Sequence, residues 1–115
     1  PYLIWDVPLQ IKKWFIAGVM DGDGWISKTG RDDLKHYQYR IGVGGIEEGW
    51  IYEFRELLQK TGLDVLSIDR DCSPPRNKIM VRFGIKVESF VNHGMFFTIK
   101  RKQDRLIEYR ETFRD

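Results

Sequence analysis

Residues 16–24 read Ile-Ala-Gly-Val-Met-Asp-Gly-Asp-Gly and lie between a helix-like and a strand-like stretch. Apolar residues recur at helical spacing into this segment, and they are Leu9, Ile11, Phe15, Ile16, Val19 and Met20. This spacing predicts an amphipathic helix, with Asp6 as its N-cap. We expect the helix to end near Gly22 to Gly24, which places Asp21 and Asp23 at its carboxyl end.

Two glycines of this segment favour close packing against a second helix. Gly18 and Gly22 are four residues apart, so they line one side of the helix. Because neither has a side chain, another helix backbone can approach closely there. Two copies of the chain that cross at this side would bring both Asp23 side chains together. Each carboxylate could then help to hold a hard divalent cation.

Two other interpretations of the acidic residues stay open. The run that starts at Asp21 is similar to the middle of an EF-hand loop, but Val19 and Gly30 would then occupy liganding positions that need oxygen donors. Alternatively, a glycine turn simply ends the helix and the acids face solvent. Since the helix dipole disfavours acids at a carboxyl end, their presence indicates a nearby cation.

Outside this segment, strand and helix periodicities alternate. The predicted strands cover residues 25–31, 35–44, 63–70 and 78–86. The further predicted helices cover residues 47–61, 88–93 and 103–113. The turns are expected at 30–33 and at Pro74-Pro75, and Trp25 and Trp50 are expected in the core. This order predicts one α+β domain over residues 1–115, of the αββαββα type with a short additional C-terminal helix.

The composition excludes several classes of protein. With 42% hydrophobic and 31% charged residues in 115 positions, the chain is typical of one folded domain. No apolar run is long enough for a membrane span and no signal peptide is recognisable, so we expect an intracellular, non-secreted protein with no membrane partner. Cys72 is the single cysteine, which excludes an internal disulfide. A net charge of +2 is too small to identify a nucleic-acid partner by itself.

Polar side chains share one face of the predicted sheet. Strand alternation places on this face Ser27, Thr29, Arg31, His36, Gln38, Arg40, Lys78, Arg82 and Lys86. Such donors can read base edges in the major groove of double-stranded DNA. Arg70 and Arg76 can add phosphate contacts, whereas Asp69 and Asp71 interrupt the positive pattern. The alternative interpretation is an ordinary charged outer face of a half-exposed sheet.

Five positions of residues 16–24 match the LAGLIDADG signature letter for letter, namely Ala17, Gly18, Asp21, Asp23 and Gly24. With the predicted element order, the chain resembles the single-motif LAGLIDADG homing endonucleases over nearly its whole length. The resemblance implies a saddle-shaped antiparallel sheet and a homodimer joined through the signature helices. It also implies Mg²⁺-dependent cutting of both strands at a long pseudo-palindromic site, with 3′ overhangs. Mn²⁺ is an alternative metal and Ca²⁺ a noncatalytic substitute.

The same resemblance implies roles for individual residues. Asp23 would be the metal-binding catalytic acid, with the backbone carbonyl of Gly22 as an additional ligand. Lys100, or as second choice Lys102, would be the basic residue that polarises the attacking water or stabilises charge on the phosphate. The signature helices would meet through Ala17, Gly18, Asp21 and Gly22. In this interface Asp21 is expected to be the structural acid.

One departure from the family concerns the residue that orients the attacking water. Some relatives carry a Gln near the end of the second strand, where this chain has residues 44–46, Gly-Gly-Ile. Glu47 and Gln38 are the available substitutes. Since relatives also act as intron maturases, the alternative prediction is a noncatalytic nucleic-acid-binding protein, a maturase or a regulator, with RNA as a possible ligand.

Overall fold

A computed structural model describes residues 6–31, 36–46, 49–71 and 79–113. In chain order, its elements are α1 (Leu9–Asp23), β1 (Gly24–Arg31), β2 (His36–Ile46), α2 (Gly49–Thr61), β3 (Asp69–Asp71), β4 (Met80–Ile85), α3 (Val87–Asn92) and α4 (Lys100–Thr112). Within these residues the chain is α+β, with four helices and one antiparallel sheet in the strand order β1-β2-β4-β3. The predicted order of helices and strands is confirmed.

The core lies between the helices and one face of the sheet. Alternation along the two central strands points six side chains to this face, each at most 7% exposed, and they are Tyr39, Ile41, Val43, Val81, Phe83 and Ile85. The helices contribute buried side chains that include Ile16, Met20, Phe54, Leu58, Phe90 and Leu106. Burial of a large apolar side chain stabilises the fold by about 1.5–3 kcal/mol. In the described part of the chain, no helix has the length and apolar character to cross a membrane.

Helix α1 is capped differently from the prediction. Its N-cap is Pro8, without a side-chain hydrogen bond, so the predicted Asp6 cap is wrong. Proline has no side-chain acceptor, and its backbone carbonyl accepts from the N–H groups of Ile11 and Lys12 over 3.0 and 3.1 Å. The helix ends at Asp23 as predicted, and the backbone N–H of Gly24 donates to the carbonyl of Met20.

The third strand is much shorter than the prediction of residues 63–70. Only Asp69–Asp71 forms a continuous ladder with β4, and Val65 makes an isolated bridge to Ile85. The intervening chain still follows β4, since the N–H of Leu66 donates to the carbonyl of Gly84 over 2.8 Å. The apolar alternation predicted contact with the sheet, but the backbone there lacks the regular spacing of a strand.

Candidate functional site

The end of α1 opens into a surface cavity of about 430 Å³. Its lining includes Gly22, Asp23, Trp25, Asp71, Met80 and Arg82. The cavity therefore joins the carboxyl end of α1 to β1 and to the paired strands β3 and β4. Asp71 was not among the predicted metal ligands, yet it adds a second carboxylate to the cavity that holds Asp23.

Asp21 is held by its own chain. Its carboxylate accepts hydrogen bonds from the backbone N–H of Thr98 at 2.8 Å, the N–H of Ile99 at 3.2 Å, and the Thr98 hydroxyl. Partial burial raises the pKa of Asp21, but these hydrogen bonds and the nearby charge of Lys102 outweigh it, and the net shift is downward. Asp21 therefore fastens the segment that leads into α4.

Asp23, two residues later, is in a different situation. Its side chain is exposed, and within the described residues its carboxylate makes no hydrogen bond or ion pair. The last carbonyls of a helix have no partner in the helix itself, which also leaves the Gly22 carbonyl suitable as an acceptor or ligand. The α1 end thus places at the cavity a carboxylate that has no hydrogen bond or ion pair within the described residues.

The oxygen atoms of Asp23 and Gly22 suit a sparse magnesium site. No group of three or more His, Cys, Asp or Glu side chains that could hold a metal occurs in the part of the chain that the structure describes. Mg²⁺ does not need such a cage, because it keeps several waters and binds through one or two carboxylates and substrate phosphates. Asp23, the Gly22 carbonyl and Asp71 match this pattern.

The two predicted basic residues differ sharply in environment. Lys102 is 6% exposed, and its Nζ donates to the carbonyls of Met20, Asp21 and Gly24 over 3.0, 2.7 and 2.7 Å. Burial, and next the charge of Arg101, lower the pKa of Lys102. The cation that the acidic helix end indicated is therefore present in the chain as an ammonium group.

Lys100 lies on the outside of α4. Its side chain is 88% exposed and its Nζ is 2.7 Å from Asp104 Oδ2. A hydrogen bond from Lys100 to Asp104, and the charge of that carboxylate, raise the pKa of Lys100. Neither Lys100 nor Lys102 is among the residues that line the Asp23 cavity. The structure therefore does not bring either predicted basic group into the cavity of this single chain.

The open face of the sheet carries most of the predicted DNA-binding residues. Cross-strand pairing places Ser27 opposite Arg40 and Thr29 opposite Gln38. A groove of about 760 Å³ runs over this face, and its lining includes Ser27, Gln38, Arg40, Asp69, Arg82 and Lys86. The predicted shared face is therefore present for Ser27, Thr29, Gln38, Arg40, Arg82 and Lys86.

Several predicted DNA contacts fall elsewhere. Arg70 pairs with Val81, and paired residues point to the same side, so Arg70 belongs to the helix side of the sheet at its edge. The backbones of Arg31 and His36 pair with each other, but their side chains are outside the described part of the structure. Arg76 and Lys78 lie wholly outside the described residues. Of the two substitutes for the water-orienting residue, Gln38 lies in the groove, and Glu47 lies outside the described residues.

An apolar strip crosses the middle of the open face. Gly42 pairs with Gly84, and a Cβ on Gly42 would lie 2.3 Å from the indole of Trp25. A Cβ on Gly84 would lie 2.9 Å from Leu66 Cδ1. The two glycines let both side chains lie against the sheet. Trp25 is 38% exposed and was expected in the core, although its alternation with Ser27 already indicated the open face.

The outer side of α1 is open. Apart from the nearby backbone of α1 itself, a Cβ on Gly18 or Gly22 would meet no atom of the described residues within 4 Å. Ile11 and Trp14, at helical spacing from Gly18, are 52% and 62% exposed. Ala17 was also expected in the interface between signature helices, but it is 0% exposed because it lies on the core side of the helix. Of the four predicted interface residues, Gly18 and Gly22 lie on the open side.

No protein-family model and no curated protein matches the chain. The likeness to LAGLIDADG proteins is therefore carried by residues 16–24 and by the order of the elements alone.

Proposed function

We propose that the chain is one half of a homodimeric LAGLIDADG endonuclease with the saddle-shaped sheet of that family. The dimer cuts both strands of a long pseudo-palindromic DNA site and leaves 3′ overhangs. The observation that carries the proposal is the contrast between two neighbouring acids at the end of α1. Asp21 is fully engaged by Thr98 and Ile99, whereas Asp23 is exposed, unpaired within the described residues and turned to a cavity.

In this proposal Asp23 and the Gly22 carbonyl hold Mg²⁺, with Asp71 as a further carboxylate of the same cavity. Mn²⁺ can take its place, and Ca²⁺ binds without supporting cutting. When bound, the metal polarises a phosphoryl oxygen and lowers the pKa of a coordinated water. Lys100 supplies the basic group that stabilises charge on the phosphate once DNA is bound.

The open side of α1 supports a two-fold dimer. Gly18 and Gly22 present bare backbone there, and exposed Ile11 and Trp14 extend the same side. Two such sides would be self-complementary, as a two-fold interface requires. The crossing would bring the two Asp23 side chains near each other, one for each DNA strand.

The open face of the sheet supports double-stranded DNA as the substrate. Gln38, Arg40 and Lys86 offer donors that suit base edges and phosphates in a groove. Asp69 and Asp71 reduce the positive charge of this face, so binding must depend on specific contacts as well as on charge. Arg31, His36, Arg76 and Lys78 stay predicted contacts.

One observation favours a noncatalytic alternative. Lys102 has its donors on backbone carbonyls and Lys100 is paired with Asp104, so neither stands in the Asp23 cavity. An intron maturase or a DNA-binding regulator would need the groove but no such basic group, and RNA could then be its ligand.

Plasmid cleavage separates the two functions. A plasmid carrying the uninterrupted insertion locus should become linear with the wild-type protein and Mg²⁺, and stay intact with a chelator or with Ca²⁺. Asp23→Asn should bind the plasmid without cutting it. Asp64→Asn changes an exposed acid outside the cavity and serves as the matched control, with wild-type cutting expected.

Two results would contradict the endonuclease. Wild-type protein that binds the locus but cuts it with neither Mg²⁺ nor Mn²⁺ would favour the maturase or regulator. An Asp23→Asn protein that loses binding and folding together would make Asp23 a structural residue.

A further inference from the structure

The buried ammonium of Lys102 has no donor to spare. A lysine ammonium carries three N–H donors and no acceptor. Three backbone carbonyls lie at 2.7–3.0 Å from Lys102 Nζ, and the side chain is 6% exposed. The group is therefore saturated by its own chain.

The three acceptors bracket the residues that face the cavity. The carbonyls of Met20 and Asp21 precede Gly22 and Asp23 in the chain, and the carbonyl of Gly24 follows them. The Lys102 ammonium thus binds the backbone both before and after Gly22 and Asp23, which form the last turn of α1. Lys102 itself is not among the residues that line the cavity.

A second contact joins the end of α1 to the start of α4, and here the charged side chain belongs to α1. The Asp21 carboxylate, at the end of α1, accepts from the N–H groups of Thr98 and Ile99 where α4 begins. Lys102, in the first turn of α4, donates to the end of α1. Each charge has the sign that the adjacent helix end favours. The two contacts fix the position of the turn relative to α4.

We propose that Lys102 is a positioning residue that sets the geometry of Asp23 and the Gly22 carbonyl for the metal, and that it neither moves a proton nor orients water. This inference rests on the endonuclease function proposed above. It replaces the interpretation of Lys102 as a basic group that acts on the substrate, because a saturated donor outside the cavity cannot contact the reacting phosphate. Outer contacts of this kind typically change metal affinity by roughly 10- to 100-fold when they are removed.

Terbium luminescence measures metal affinity without catalysis. Tb³⁺ takes oxygen ligands and is sensitised by a nearby tryptophan, and Trp25 lines the cavity with Asp23. Wild-type protein should show sensitised emission that Asp23→Asn abolishes. Lys102→Met should raise the apparent Kd for Tb³⁺ by roughly 10-fold or more, and Lys102→Arg, which keeps charge and donors, should recover part of the loss. Lys60→Met, on the exposed side of α2, is the matched control and should leave the Kd unchanged.

Plasmid cleavage and thermal unfolding accompany each titration. If the wild type cuts DNA and Lys102→Met binds Tb³⁺ as tightly as the wild type but fails to cut, the positioning role is overturned and a catalytic one follows. If Lys102→Met does not fold, the decision rests on Lys102→Arg, for which wild-type Tb³⁺ affinity with lost cutting is again the contrary result. Absence of both Tb³⁺ emission and cutting in the wild type would overturn the endonuclease itself, and the positioning role with it.

Discussion

Asp69 holds Arg82 across the outermost pair of strands, with 3.2 Å between Asp69 Oδ2 and Arg82 Nε. Both side chains are mostly exposed, at 62% and 60%, so the pair should stabilise the fold by only about 0.2–1 kcal/mol. Its importance lies in its place, because Arg82 lines both the Asp23 cavity and the groove over the open face. The contact holds this arginine where the two sites meet.

Arg82→Ala should therefore weaken DNA binding while leaving folding intact. If Arg82 reads a base, the loss should be about 1–3 kcal/mol and the preference at one position should relax. If Arg82 contacts a phosphate, affinity should fall equally for all DNA sequences. The slope of log affinity against log salt concentration should then become shallower by about one. Fluorescence anisotropy with the insertion locus and a scrambled duplex, at several salt concentrations, separates these outcomes. Unchanged affinity for both duplexes would remove Arg82 from the interface.

Gly18→Ala should weaken the dimer without harming the single chain. In the part of the chain that the structure describes, a methyl group there meets no atom within 4 Å outside the nearby backbone of α1, and alanine is about 1 kcal/mol better than glycine inside a helix. Sedimentation should show a monomer at concentrations where the wild type is a dimer. Gly49→Ala also adds a methyl group in open space and is the control that should stay dimeric. A Gly18→Ala dimer as tight as the wild type would count against helix crossing at this side.

Gly44→Ala and Gly45→Ala should differ although the residues are adjacent in β2. A Cβ on Gly44 would lie 2.6 Å from the backbone carbonyl oxygen of Val81, so β4 must shift. A Cβ on Gly45 would find its nearest atom, in the Trp50 ring, at an ordinary 3.7 Å. Overpacking should lower the free energy of unfolding of Gly44→Ala by about 1–3 kcal/mol, with a near-neutral Gly45→Ala. Urea unfolding gives both values, and equal effects would contradict this register of β2 with β4.

Asp21 should make stability depend on pH in the acidic range. Its pKa in the folded chain lies below the ordinary value of 3.8, so its contribution is present above that value and is lost as pH falls through the folded pKa. Asp21→Asn should destabilise the protein at neutral pH by about 1 kcal/mol, as loss of a helix cap does, and should show a smaller drop in stability on acidification. Thermal unfolding between neutral and acidic pH tests this, with Asp64→Asn as control. If the stability of the wild type and of Asp21→Asn falls equally with decreasing pH, the carboxylate of Asp21 does not contribute to the pH dependence.

The sequence predicted what depends on local periodicity. Alternation in β2 and β4 identified both faces of the sheet, because a strand turns each successive side chain to the opposite side. The predicted start of the last helix at residue 103 was three residues late, which left Lys102 without an assigned side. In the structure, Lys102 and Leu106 are four residues apart in α4 and both are buried, and this fixes the direction of the lysine.

Long-range contacts could not be predicted from the sequence, because their partners lie far apart along the chain. Asp21 and Thr98 are separated by 77 positions, and a threonine before a helix gives no sign of its partner. Asp71 enters the Asp23 cavity through the pairing of β3 with β4, which no local pattern encodes. The resemblance already implied a structural role for Asp21 and a metal-binding role for Asp23, but the contacts of Asp21 with Thr98 and Ile99 are visible only in the tertiary structure.

Strand β2 contributes to both the groove and the Asp23 cavity. Gln38 and Arg40 line the groove, and Gly44 and Gly45 line the cavity. A one-residue insertion between them would turn one half of the strand over relative to the other. If the chain is the proposed endonuclease, a change of target preference should therefore arise by exchange of side chains at constant strand length. In the proposed endonuclease, a single strand would thus carry side chains that read DNA and also border the cavity of Asp23.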